Sequence, residues 1–159
     1  MNIFVLDKSP IQAAKYACDK HVVKMILESA QILCSVHPEG SAPYKRSFYN
    51  HPCTKWVRES PNNYSWLVDH ALQLCEEYTF RYGKIHKSND VIDWCDWNRP
   101  FGWTGCEQFN LHTEQPKCMP DYCKTDCVVE SYRNYYIKEK SSFAKWKTGN
   151  VPEWFKVEN

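Results

Sequence analysis

The run from Asp19 to Leu33, DKHVVKMILESAQIL, constrains this chain more than any other stretch, because its apolar residues almost encircle the helix they would form. At 3.6 residues per turn, His21, Lys24, Glu28 and Gln31 fall within an arc of about 80°, while Val22, Val23, Ile26, Ala30 and Leu33 take up the rest. A helix that is apolar on most of its circumference is buried on most of it. The narrow polar stripe is therefore expected to face a cleft inside the protein, which makes Glu28, the acid in that stripe, a candidate catalytic carboxylate. The same spacing also allows an ordinary buried ion pair with Lys24 or Lys20.

The rest of the chain reads as helices of the same kind. Ser9-Pro10-Ile11-Gln12 is a helix start, predicting a short helix over 10–18 before Asp19 caps the long one, which runs to about Ser35. Residues 37–52, with Pro38, Gly40, Pro43 and Pro52, read as a surface loop carrying Tyr44, Phe48, Tyr49 and His51 back toward the core. Ser60-Pro61 opens the longest helix, where Tyr64, Leu67, Val68, Ala71, Leu74, Cys75 and Tyr78 repeat until Gly83 stops it. A short helix over 88–96 follows, then a long stretch from Asn98 to Pro120 with no period, and helical pattern returns near Asp126 with Val128, Val129, Tyr132 and Tyr136. The NIFVL stretch has no second alternating run to pair with. The expectation is an all-α fold, one compact domain over residues 1–159, with an extended N-terminal segment and a long loop-rich insertion.

Composition narrows the function classes. Twenty Lys and Arg against nineteen Asp and Glu leave a net charge of +1, which argues against a strongly basic, non-specific nucleic-acid binder. Any polyanion surface must be a local patch, such as Lys45, Arg46 and Lys55 to Arg58, or Lys138, Lys140, Lys145 and Lys147. No run approaches the about 18 apolar residues of a membrane span, so no membrane partner is expected. Nine cysteines would suit a disulfide scaffold, yet MNIFVLDKSP reaches a charge and a proline too early for a signal segment; the expectation is a cytoplasmic chain with reduced thiols. Cys95, Cys106, His112, Cys118, Cys123 and Cys127 crowd one region, but their spacings are not those of paired zinc ligands, so no metal or other cofactor is expected.

Three separated elements occur in a recognisable order: Lys24 with Glu28 to Leu33 (KxxxESAQIL), then Asn50-His51-Pro52 with Trp56, then Cys75, Glu77, Tyr78 and Gly83, with Asp19 and His21 preceding Glu28 at fixed spacing. In these the chain resembles the phage endonuclease V type pyrimidine-dimer DNA glycosylases, and more closely the bacterial and phage proteins grouped with them. The likeness covers the first half; beyond it, only Trp146, Trp154 and Phe155 are similar to the family's aromatic C-terminus.

The resemblance implies a DNA repair glycosylase with abasic-site lyase activity. Its terminal α-amine attacks sugar C1′ and displaces the base. Such an amine, titrating near pH 7.7 to 8.0, is partly unprotonated at neutral pH without needing a buried site. Glu28 matches the family's essential glutamate, and His21 on the same stripe would orient sugar or phosphate. Two features depart from the family's pattern. Asn2 is too large for efficient removal of Met1, so the nucleophile would be the Met1 amine; and the two arginines flanking the glutamate are replaced by Leu27 and Gln31. The candidate catalytic residues are Met1, Glu28 and His21. The candidate substrate-binding residues are Asn2, Lys24, Gln31, His51, Trp56, Arg58 and Trp154, with Trp103 and Phe155 as further aromatics that could face a flipped nucleotide. His51-Pro52 can equally be the turn that starts the next helix, and Trp56 plain core packing. The expected partner is double-stranded damaged DNA, met by a monomer. Alternative readings are a glycosylase or nucleosidase for another modified base, and a non-catalytic nucleic-acid-binding module.

Overall fold

The computed structural model describes residues 1–100 and 112–157. Among these there is no strand. Six α-helices run in the order α1 (Pro10–Tyr16), α2 (Asp19–Val36), α3 (Pro52–Glu59), α4 (Pro61–Tyr82), α5 (Asn89–Trp97) and α6 (Val128–Tyr135), with a 3₁₀ turn at Asp121–Cys123 and a π-turn at Tyr136–Lys140 continuing α6. No helix among the described residues is long and apolar enough to cross a membrane.

Local signals set most boundaries. Ser9 and Ser60 accept the N–H groups of Gln12 and Asn63 as caps, with Pro10 and Pro61 in the first helical positions. Gly83 ends α4 in the left-handed region, φ +69°, where a side chain would be strained. One expected cap is corrected: Cys18, not Asp19, takes the cap position of α2, because the Asp19 carboxylate is drawn to Arg81 of α4 and to the Lys147 N–H.

α4 is the central post, packed against α1, α2, α3 and α5. Its Tyr64, Leu67 and Leu74 are fully buried together with Leu6, Ile26, Leu33 and Ile92. Each such side chain contributes about 1.5–3 kcal/mol on burial, so truncating Leu67 to Ala would cost about 2–5 kcal/mol. The N-terminal segment is buried from Asn2 to Leu6 but is not uniformly extended, since Phe4 has φ +57° and the Leu6 N–H donates back to the Phe4 carbonyl at 2.9 Å. The segment threads between α2 and α6, with the Phe4 ring stacked 4.1 Å from His21 and edge-on to Tyr132 and Tyr136. The described part of the period-free region is pinned: Thr113 bonds Asn63 and Trp56, and the Pro116 carbonyl accepts from Tyr132.

Candidate active site

Folding brings the start of the chain onto the middle of α2. The Asn2 N–H donates to Glu28 Oε2 at 3.1 Å, which leaves the Met1 amine one residue from the carboxylate. Asn2 holds that position with its whole side chain. Its Oδ1 accepts from Ile3 N (2.7 Å) and Phe4 N (3.2 Å), and its Nδ2 donates to the Cys118 carbonyl at 2.8 Å. With these bonds made and the residue 8% exposed, Asn2 anchors the first residues of the chain.

Glu28 is nearly buried, its side chain 12% exposed, and Lys24 one turn away approaches its Oε1 only to 3.7 Å from a side chain 67% exposed. So open a pair is worth little, about 0–1 kcal/mol, and leaves the carboxylate available. His51 caps α3, its Nδ1 accepting the Cys53 N–H at 3.1 Å. Burial holds its imidazole below the ordinary value; the terminal amine pushes the same way and Glu28 opposes, which puts amine, carboxylate and imidazole within electrostatic reach of one another. Behind them Cys53 and Cys118 face each other, Sγ to Sγ 3.8 Å. The hydrogen bond from Cys53 draws the Cys118 thiol down, and the same pairing with burial pushes Cys53 up. The site is thus built by the N-terminus, α2, the start of α3 and residue 118.

Other expected site residues lie elsewhere or play other parts. His21 is 5% exposed, stacked on Phe4 and paired with the Tyr136 hydroxyl at 2.5 Å. Burial, aided by Lys140, Lys24 and Lys20, holds its imidazole down at about 3. It is neutral at physiological pH, carries no charge for a phosphate, and packs against the N-terminal segment. The stripe read from spacing is therefore split: His21 turns inward, Lys24 outward, and Val23 and Leu27, 40% and 41% exposed, share the open face. Gln31, one turn beyond Glu28, is half-buried. Trp56 is 3% exposed and its indole N–H donates to the Thr113 carbonyl at 3.0 Å, which makes it a core residue. Trp154 and Phe155 fold back, half-buried, on Tyr16, Tyr136 and Trp146, with Arg133 over the Trp154 ring, so the tail packs against the core. Arg58 stacks on the Tyr49 ring at 3.7 Å and donates to the Tyr49 carbonyl. Phe48, expected to point inward, is 62% exposed.

Sequence reasoning missed Cys118, whose carbonyl anchors Asn2, because it arrives from a stretch without any period. Trp103 and Cys106 lie outside the described residues. Among the described residues, no group of three or more His, Cys, Asp or Glu side chains is placed to hold a metal ion.

A family model described as pyrimidine dimer DNA glycosylase matches residues 1–90, the part of the chain that contributes Met1, Glu28 and His51. Neither the curated proteins nor the solved structures contain a match.

Proposed function

From the chain's membership of the pyrimidine dimer DNA glycosylase family, a family of DNA repair enzymes acting on ultraviolet-damaged DNA, we propose that it excises a damaged pyrimidine through its own Met1 amine, with Glu28 as the proton-handling partner. The observation that carries this is the 3.1 Å bond from the Asn2 N–H to Glu28, which ties the first residue to the one acid of α2 that lacks a buried cationic partner.

The chemistry follows from these two groups. The amine lone pair forms a bond to C1′ as the glycosidic C1′–N bond breaks, its electrons leaving with the base, which takes up a proton. The ammonium formed at C1′ gives one proton to Glu28, which returns it to O4′ as the nitrogen lone pair opens the C1′–O4′ bond, leaving a protonated imine and Glu28 again a carboxylate. That imine acidifies the 2′ hydrogen. Its removal by the carboxylate expels the 3′ phosphate, and water releases the sugar fragment from the amine. No redox partner or Lewis acid is needed for any step. His51, neutral and beside both groups, is suited to hydrogen-bond the sugar or the departing base.

Borohydride reduction in the presence of dimer-containing or abasic duplex should freeze the imine as a secondary amine, and mass spectrometry should find the adduct on the peptide beginning at Met1. An adduct on a lysine, or none with any lesion, contradicts the reading.

A further inference from the structure

We propose that Phe48 is a wedge that enters the base stack of duplex DNA beside the Met1–Glu28 site, on a loop whose Arg46, Tyr49 and Arg58 grip the phosphate backbone. The inference rests on the glycosylase reading and deepens it by assigning the element that opens the duplex.

Phe48 is the wrong residue in the wrong conformation for a solubilising loop. It is 62% exposed, and its backbone sits at φ +48°, a region that bulky side chains avoid and that persists only where the surroundings hold it. Both flanks are held. The Ser35 hydroxyl of α2 accepts the Ser47 N–H at 3.0 Å and lies 2.9 Å from the Ser47 carbonyl, while the His51 N–H donates to the Phe48 carbonyl at 3.0 Å. The ring is projected by fixed backbone.

Its base is cationic. The Tyr49 ring carries Arg46 at 4.4 Å and Arg58 at 3.7 Å, two planar guanidiniums set by hydrogen bonds to the His37 and Tyr49 carbonyls. Among the described residues Arg46 meets carboxylate only at the exposed Glu39, 3.9 Å away, and Lys45 and Lys55 flank the loop with exposed side chains. An apolar ring between positive charges fits a ligand with a stack of flat faces between negative ones, and beside a glycosylase site that ligand is duplex DNA.

Placement agrees. Ser35 lies seven residues, two turns, beyond Glu28 on the same face of α2, about 10 Å along the axis, or about three base steps of DNA. His51, which closes the turn, feels the charges of both the amine and Glu28. A wedge here would occupy the stack while a nucleotide within a few base steps swings out to the amine.

The test uses the full chain and Phe48→Gly, which removes the ring and relieves the backbone. The variant should melt no lower than the parent. On a duplex carrying a cyclobutane dimer beside 2-aminopurine, the parent should raise the fluorescence on binding and the variant should not; its single-turnover excision from duplex should fall on the order of 10- to 100-fold more than from the same lesion in a single strand. Phe48→Trp should restore the fluorescence change, and Arg58→Gln should lower the slope of log K against log salt by about one. Equal excision from duplex by Phe48→Gly and parent, with the fluorescence rise intact, overturns the wedge and leaves the glycosylase reading standing. A parent that neither binds nor processes damaged DNA overturns both.

Discussion

Two acids of α2 are held in opposite ways. Asp19, at the start of the helix, meets Arg81, a guanidinium 1% exposed whose five N–H bonds are all used: on the Ala17 and Lys15 carbonyls, on Asp19, and twice on Glu77. Glu28, in the third turn, has one backbone N–H and a solvated lysine at 3.7 Å. The first acid is part of a closed network in which removal of any member strands the others. The second is buried more deeply than Asp19, 12% exposed against 20%, yet has lone pairs to spare and lies one residue from the chain's first amine. On one helix, then, burial of an acid says little about its role; the partner's burial and the number of satisfied bonds separate a brace from a reagent.

The largest expected effect that tests this contrast is at the brace. Arg81→Met removes the guanidinium donors from Glu77 and two carbonyls and leaves Asp19 with the Lys147 N–H, and should cost about 3 to 5 kcal/mol in urea unfolding. A loss below about 1 kcal/mol would mean that the network is not structural. Acid should act next in size. His21 is held at about 3 and His70 at about 4, in each case chiefly by burial, against an ordinary value of 6.5. Between those limits the unfolded chain takes up protons that the folded chain refuses, so stability should be level above pH 6.5 and fall by several kcal/mol as pH drops toward 4, with His21→Gln flattening part of the slope. Melting that is flat from pH 7 to 4 would contradict the buried, neutral histidines. The smallest effect belongs to Lys24→Ala: because the lysine is largely solvated, stability should shift by no more than about 1 kcal/mol. A larger loss would mean that Lys24 braces Glu28 as Arg81 braces Asp19.

The parts of this arrangement that were legible in the sequence are those fixed by local physics. Helical spacing, the serine caps of α1 and α4 and the glycine after α4 each act within a turn of chain, and the helices fall where these signals put them. Glu28 stood out because an acid within a narrow polar stripe on a largely apolar helix is unusual. What could not be read was long-range. His21 has the same angular position as the stripe, but the N-terminal segment, with Phe4 at 4.1 Å, covers its side of the helix. Asp19 looks like a cap until Arg81, 62 residues on, claims it. Phe48 and Tyr49 read as core by type, whereas the pinning of Ser47 to Ser35 turns Phe48 outward and the two arginines draw Tyr49 to the surface. Trp56 is buried in the core and Trp154 packs half-buried on Tyr16 and Tyr136, contacts that their positions in the sequence did not reveal.

The most direct test neutralises the two acids in parallel, Asp19→Asn and Glu28→Gln, and reads melting and single-turnover excision from each preparation. Asp19→Asn should melt early and keep the specific activity of its folded fraction. Glu28→Gln should melt within about 1 kcal/mol of the parent while its rate falls on the order of 10² to 10⁴, the loss of a positioned acid or base. If instead Glu28→Gln melts early and keeps its rate, Glu28 is a second brace and the catalytic assignment of this site is wrong.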